Sequence, residues 1–370
     1  MKIAKLKLTN FRNYEKLELD FSKSKNIIIG NNGSGKTNII EAIYYLSLTK
    51  SFRAPDEILI KENTPFAIIE SKIKEENTNN YKIVLTQNSK NIKINNKQIN
   101  RLSDYISKIN VILFSVEDMK LIKDNPSAHR KLITMDLSSI DNEYLILLST
   151  YNRVLKQRNT YLKQMMINST LPKNYLNIIT EKLVDLNLKI YKKRKEYIKS
   201  INSFISEIFY QITNRENLTI GYITNIKYFT KEELLKDFDK TLMKDINYGK
   251  TTIGIHLDDY VFKINNQNIK AYLSEGETKN AVISYKLSEI KYCQSVLKKS
   301  PILLLDDLFS ELDKNKINNI LQFLDKDIQT FITTTDIHKV SKKILTNCNV
   351  YKIKNGKIKV IEYEWKHIQW

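Results

Sequence analysis

The sequence predicts an α/β fold, with a parallel core sheet beside an antiparallel β layer, interrupted by an inserted helical lobe. Three observations predict it. The apolar run Asn26–Ile29 leads through a glycine-bearing loop into a segment with helical spacing, Asn38–Leu46. A second apolar run, Pro301–Leu305, ends in the paired carboxylates Asp306 and Asp307. Between them, Tyr144–Met165 and Tyr175–Ile212 repeat apolar residues on a 3-4 register, the pattern of long amphipathic helices.

The chain has 370 residues and is 42% hydrophobic, enough to fill a sizeable core. Its two cysteines, Cys293 and Cys348, are too few for a disulfide framework. No stretch approaches eighteen uncharged apolar residues, and Met1–Lys5 runs directly into alternation, so a soluble cytoplasmic protein with no membrane partner is expected. The net charge of +19 suits a polyanionic partner, although 52 of the 60 basic residues are lysine, a bias that composition alone would produce. Glycine is scarce, with 8 residues where about 7% of a typical chain would be glycine. A glycine kept in such a chain is expected to serve the backbone.

Five strands, near Lys2–Leu8, Leu17–Phe21, Phe66–Ile73, Tyr81–Leu85 and Asn91–Ile94, are assigned to the antiparallel layer. Asn26–Ile29, Val111–Phe114, Ile302–Leu305 and Phe331–Thr333 are assigned to the core. Gly30-Asn31-Asn32-Gly33-Ser34-Gly35-Lys36-Thr37 fits G-x-x-x-x-G-K-[ST] in the strand, loop and helix context that this motif requires. Its amides would cradle a β-phosphate, Lys36 would reach the β/γ oxygens, and the Thr37 hydroxyl would ligate Mg²⁺. Asp306 would hold the metal through water and Asp307 would polarise the attacking water, which makes Lys36 and Asp307 the candidate catalytic residues and ATP with Mg²⁺ the expected ligands.

The long helices place Tyr144, Leu148, Tyr151, Leu155, Leu162 and Met165 on one face and Tyr175, Ile179, Leu183, Leu186, Ile190, Tyr197, Ile201, Ile205, Ile208 and Ile212 on the other, broken by Arg158 and Arg194. Asn168–Lys173 between them reads as a turn, giving an antiparallel pair. Basic residues outnumber acidic ones across this arm. Its densest run is Tyr191-Lys192-Lys193-Arg194-Lys195. That run reads either as a solvated helix face or as sequence-independent contact with the phosphates of duplex DNA through Lys192, Lys193, Arg194 and Lys195.

Leu273-Ser274-Glu275-Gly276-Glu277 precedes a helical stretch from Thr278 to about Leu297 and resembles the signature of ABC-type ATPases. The resemblance implies that Ser274 and Gly276 meet the γ-phosphate held by a second subunit, and that Ser310 and Asp313 belong to a D-loop. Lys36 and Gly276 are 240 residues apart, more than a transporter subunit needs. Leu8-Thr9-Asn10-Phe11-Arg12-Asn13-Tyr14, Thr49-Lys50-Ser51-Phe52-Arg53, Leu113–Met119 and Thr251–Asp259 together resemble the RecF family over nearly the whole chain. The departures are Val116 and Ile255 where proline is usual, Leu257 where arginine is usual, and Glu277 where glutamine is usual.

The resemblance implies an ABC-type P-loop ATPase head spanning residues 1–118 and 246–370, with the helical lobe at 119–245. It further implies a slow DNA-stimulated ATPase that dimerises on ATP and binds double-stranded and gapped DNA. Cooperation with RecR and RecO would load recombinase during DNA repair, replication restart and the SOS response to DNA damage. Thr335 stands where transporters carry a switch histidine, His338 reads as a surface residue, and no Q-loop glutamine is assigned. The alternatives are a transporter ATPase subunit and an SMC-like structural ATPase.

Overall fold

A computed structural model describes residues 1–215, 217–271, 274–313, 316–317, 320–321, 323–324, 327–340, 345, 347–354 and 357–361. The chain divides into two compact units. The first comprises Met1–Lys120, Gln211–Asn214 and the chain from Glu275 onward, and the second comprises Leu121–Tyr210 and Arg215–Ser274. The inserted unit therefore extends to Ser274 and not to 245, because the strands that follow its last long helix pair within it.

In the first unit, β1 (Lys2–Phe11), β2 (Tyr14–Asp20), β4 (Phe66–Lys74), β5 (Thr78–Thr86), β6 (Lys90–Ile94) and β7 (Lys97–Ile99) form an antiparallel sheet in the order β2-β1-β4-β5-β6-β7. Alternating residues of β1 and β4, among them Leu6, Leu8, Ala67 and Ile69, are buried, as a sheet with one core face requires. The second sheet joins β3 (Lys25–Ile29), β8 (Val111–Ser115), β12 (Ile302–Asp306), β13 (Thr330–Thr334), β14 (Cys348–Lys354) and β15 (Lys357–Ile361) in the order β15-β14-β3-β13-β12-β8. All its pairings are parallel except that of the edge strand β15. Its strands β12 and β13 are buried throughout, which explains the continuous apolar run of β12. Strands β7, β14 and β15 were not among the sequence expectations. Helices α1 (Lys36–Leu48) and α6 (Glu275–Leu297) and the short α7 (Leu308–Glu311) complete the described part of this unit.

The second unit contains α2 (Pro126–Ile140), α3 (Asn142–Ile167), α4 (Lys173–Thr213), α5 (Lys231–Tyr248) and the small sheet of β9 (Leu218–Ile223), β10 (Asp259–Ile264) and β11 (Gln267–Asn268). Helices α3 and α4 run antiparallel. Arg158 meets Thr180 at 2.9 Å, Tyr144 meets Arg194 at 3.1 Å and Asp141 meets Lys193 at 2.6 Å, so the contacts climb one helix as they descend the other. Tyr175 departs from the expected face. It is half exposed and meets Tyr161 edge-on, with ring centroids 4.9 Å apart.

The two arginines that break the apolar registers are buried. Arg158 donates to Asp245 at 2.7 Å and to Thr251 at 2.8 Å. Arg194 donates to Asp258 at 2.6 Å and to the Ile255 carbonyl at 2.7 Å. Its side chain is 3% exposed. This corrects the reading of Arg194 as a DNA contact, because its guanidinium is spent inside the lobe. Lys193 is likewise bound, to Asp141 and Glu143, whereas Lys192 and Lys195 are exposed. The Thr251–Asp259 block supplies Thr251, the Ile255 carbonyl and Asp258 to these pairs, and its His256 accepts or donates a 2.7 Å hydrogen bond with Tyr151. It is an internal clamp.

Removing one partner of a buried pair leaves the other charge without compensation. Arg194→Leu is therefore expected to destabilise the chain by about 3–5 kcal/mol in urea unfolding, while Lys192→Ala and Lys195→Ala stay within about 0.5 kcal/mol of the parent.

Candidate nucleotide site

Strand β3 ends at Ile29, and Gly30–Gly35 turns the chain into α1. Gly35 has φ +107, and a Cβ there would come within 2.6 Å of the Asn13 amide and 2.7 Å of the Tyr14 hydroxyl. At Gly30 a Cβ would meet Ser34 Oγ at 2.5 Å and the Ile353 carbonyl at 2.9 Å. Both positions need glycine. Asn13 Nδ2 donates to the Ser34 carbonyl at 3.3 Å and the Tyr14 hydroxyl to the Gly35 carbonyl at 3.1 Å, so the turn between β1 and β2 braces the loop from outside.

Lys36, 3% exposed, folds back on the loop and donates to the carbonyls of Gly30 at 3.0 Å and Asn31 at 3.2 Å. Its Nζ lies 3.9 Å from Asp307 Oδ1. Strand β13 lies between β3 and β12, and parallel pairing brings their carboxyl ends together. Thr333 on β13 donates to Asp306 Oδ1 at 2.7 Å, and Thr37 on α1 donates to the same oxygen at 3.2 Å. The Asp307 amide in turn donates to Thr333 Oγ1 at 2.8 Å. Burial raises the pKa of Asp306 above the usual carboxylate range, Asp307 adds to that, and the Thr333 and Thr37 hydrogen bonds oppose it.

These residues fit a nucleotide with Mg²⁺. Ser34 Oγ is buried and has no hydrogen-bond partner within the chain, and at Gly33, φ +75, a Cβ would meet nothing within 4 Å, so the loop backbone is open to close approach there. A hydroxyl and a buried carboxylate, Thr37 and Asp306, are the hard oxygen donors that Mg²⁺ takes alongside phosphate oxygens. Among the described residues no group of three or more His, Cys, Asp or Glu could hold a metal by itself. A cavity of about 1110 Å³ beside the brace is lined by Arg12, Asn13, Ile58, Lys61, Thr64 and Asn88, among others.

A family model described as the RecF/RecN/SMC N terminal domain matches residues 2–359. The chain belongs to the RecF family. It is 38% identical over 369 residues to the DNA replication and repair protein RecF of Streptococcus gordonii, covering 97% of this chain and all of that one. With the same-named protein of Lactobacillus johnsonii it shares 36% over 373 residues, 98% of this chain and all of the relative. A solved structure of the recombination mediator protein RecF with ATP, in the RecFOR pathway, superposes with a TM-score of 0.89 at 29% identity, covering 97% of each chain. An Smc head bound to the C-winged helix domain of ScpA matches at a TM-score of 0.55 and 17% identity, over 99% of this chain and 98% of that one, a likeness of fold. The RecF and Smc head matches, each over nearly the whole chain, give the chain the fold of an ABC-type ATPase head.

Within this RecF-family head the structure gathers Gly30–Thr37, Asp306 and Asp307. Ser274, at the unit boundary, and Gly276, in the first turn of α6, are exposed, and a Cβ on Gly276 would meet nothing within 4 Å. Leu273 lies outside the described residues. Ser310 falls in α7, and Asp313 is exposed and bound to Lys316. Thr335 and His338 are exposed as well.

Sequence reasoning missed Thr333, which had been assigned only to a core strand, and it missed the cluster around Glu41. Glu41, fully buried on α1, receives two hydrogen bonds from Arg12 at 2.7 and 2.8 Å, one from Arg53 at 2.8 Å and one from Ser51 at 2.5 Å. A carboxylate four residues after Thr37, inside an apolar helix, was the available signal. Burial alone would raise the pKa of Glu41, but the Arg12, Arg53 and Ser51 hydrogen bonds together hold it below the usual range. With the folded-state value depressed, the stabilisation is present above the unfolded value of about 4.3 and is lost as pH falls through the folded one. Glu41→Gln is expected to cost about 3 kcal/mol at neutral pH, and urea unfolding across a pH series should show the gap to the parent closing below about pH 4.

Proposed function

We propose that the chain is an ATP-dependent, DNA-binding recombination mediator that acts in DNA repair and replication restart. The observation that carries this reading is the convergence of Lys36, Thr37, Asp306 and Asp307 at the carboxyl ends of β3 and β12, parallel strands on either side of β13, in a chain of the RecF family. Its curated relatives are named for DNA replication and repair.

In this reading the Gly30–Gly35 amides and Lys36 bind the β- and γ-phosphates, Lys36 leaving its loop carbonyls to do so. Thr37 and Asp306 would hold Mg²⁺, which would supply neutralisation of the phosphate charge. Asp307, one third exposed and held by its amide to Thr333, orients the attacking water. Ser274 and Gly276, exposed at the start of α6, meet the γ-phosphate on a second copy, so two chains close head to tail over two ATP molecules. Hydrolysis removes the contact that favours the closed dimer. Turnover is slow and stimulated by DNA. Duplex DNA near single-strand gaps is bound without base specificity, with exposed Lys192 and Lys195 among the phosphate contacts, and RecR and RecO are the partners in recombinase loading. The protein acts in the cytoplasm. None of the helices among the described residues is long and apolar enough to cross a membrane.

Lys36→Met is expected to abolish ATP binding. Ser274→Arg should bind ATP as the parent does and fail to dimerise with it, and light scattering that shows an ATP-dependent dimer of Ser274→Arg would overturn the head-to-tail arrangement. ATPase activity measured with and without gapped duplex across a salt series should rise with DNA at low salt and lose that rise as salt increases. No stimulation at low salt counts against a DNA-regulated ATPase.

A further inference from the structure

Four aromatic rings in the inserted unit form a continuous stack. Tyr260 on β10 lies nearly parallel to Tyr222 on β9, with centroids 5.2 Å apart and planes 9° apart. Tyr222 stacks on Tyr191 of α4 at 5.5 Å, and Tyr191 stacks on Phe229 at 4.5 Å with planes 21° apart. The inner end is rigid. Tyr260 is buried, and the Tyr222 hydroxyl donates to Asp258 Oδ2, the oxygen that also holds Arg194. The outer end is open. Phe229, in the segment between β9 and α5, is 51% exposed although one of its faces is covered by Tyr191.

The surroundings of that open ring are cationic. Lys195 places its Nζ 5.7 Å from the Tyr191 centroid. Lys192, on the same turn of α4, and Lys227, two residues before Phe229, are exposed. Next to Phe229, Tyr228 carries Lys240 over its ring at 5.8 Å. The nearby carboxylates Glu181 and Asp185 are both engaged by Lys231, and Glu233 by the Thr230 hydroxyl. A flat apolar ring stacked on Tyr191 at the end of the ladder, with exposed Lys192 and Lys195 on the helix that carries Tyr191 and Lys227 in its own segment, matches a ligand with a π face and an anionic backbone.

We infer that Phe229 is a stacking platform for an unpaired nucleobase, with Lys192, Lys195 and Lys227 contacting the flanking phosphates. The inference rests on the DNA-binding reading above and adds to it the part of the nucleic acid that this surface takes. Duplex DNA keeps its bases stacked on one another and has no free face to offer. An unpaired base does, so the platform would discriminate gapped from intact duplex without reading sequence. The ladder is ordered before binding, so little conformational freedom is lost on contact.

The test uses the full chain with ATP and Mg²⁺, a gapped duplex carrying 2-aminopurine as the first unpaired base, and an intact duplex of equal length. The parent is expected to quench the 2-aminopurine. Phe229→Ala should lose the quenching and bind gapped DNA about tenfold more weakly, with intact-duplex affinity within about twofold of the parent and an unchanged unfolding midpoint. Phe229→Trp should keep both signals. If the parent binds both DNAs and Phe229→Ala alters neither quenching nor gapped affinity, the platform is wrong while DNA binding stands. An equal loss on both duplexes also overturns it. A parent that binds neither DNA removes the DNA-binding reading and this inference together.

Discussion

A single carboxylate oxygen, Asp306 Oδ1, accepts hydrogen bonds from Thr37 on α1 and Thr333 on β13. Through it the start of the phosphate-loop helix, the strand next to the loop strand and the end of β12 are tied at one point. The glycine loop is placed by where α1 starts, and the Asp307 backbone is held by the hydrogen bond from its amide to Thr333. Burial makes the carboxylate charge costly. The site is therefore built around a group whose ionised form gains from a cation.

The ends of this arrangement were legible in the sequence because their chemistry is local. Gly30–Thr37 declares itself through spacing, and Ile302–Asp307 through an apolar run that stops at two acids. The β layer and the two long helices followed from periods of two and 3.6. Thr333 carries no such mark, since a threonine in a β-branched strand looks the same whether its hydroxyl serves the sheet or the site. Strands β14 and β15 do alternate, with Lys352 and Lys354 exposed and Tyr351 and Ile353 buried, but they are short and lysine-rich, and it is pairing with β3 that brings β14 into the core.

Arg158 and Arg194 show a different limit. On a helical wheel each is a flaw in an apolar stripe, and a run such as Lys192–Lys195 invites a surface reading. Their partners Asp245 and Asp258 lie 87 and 64 residues away, so no local pattern can reveal the pairing. The same basic run divides by position on the helix. Arg194 and Lys193 are held within the lobe, and Lys192 and Lys195 remain exposed.

Strand β3, which carries the phosphate loop, is flanked by β13 and β14, and the Ile353 carbonyl lies against Gly30. Its neighbours thus come from near the far end of the chain. During synthesis the loop strand emerges early and has no parallel partner until Thr330 and then Cys348 have followed it, while the inserted unit is already complete at Ser274. The order of assembly is reversed relative to the order of translation. A chain cut short before β14 lacks one of the two strands that flank β3 and the carbonyl that lies against Gly30.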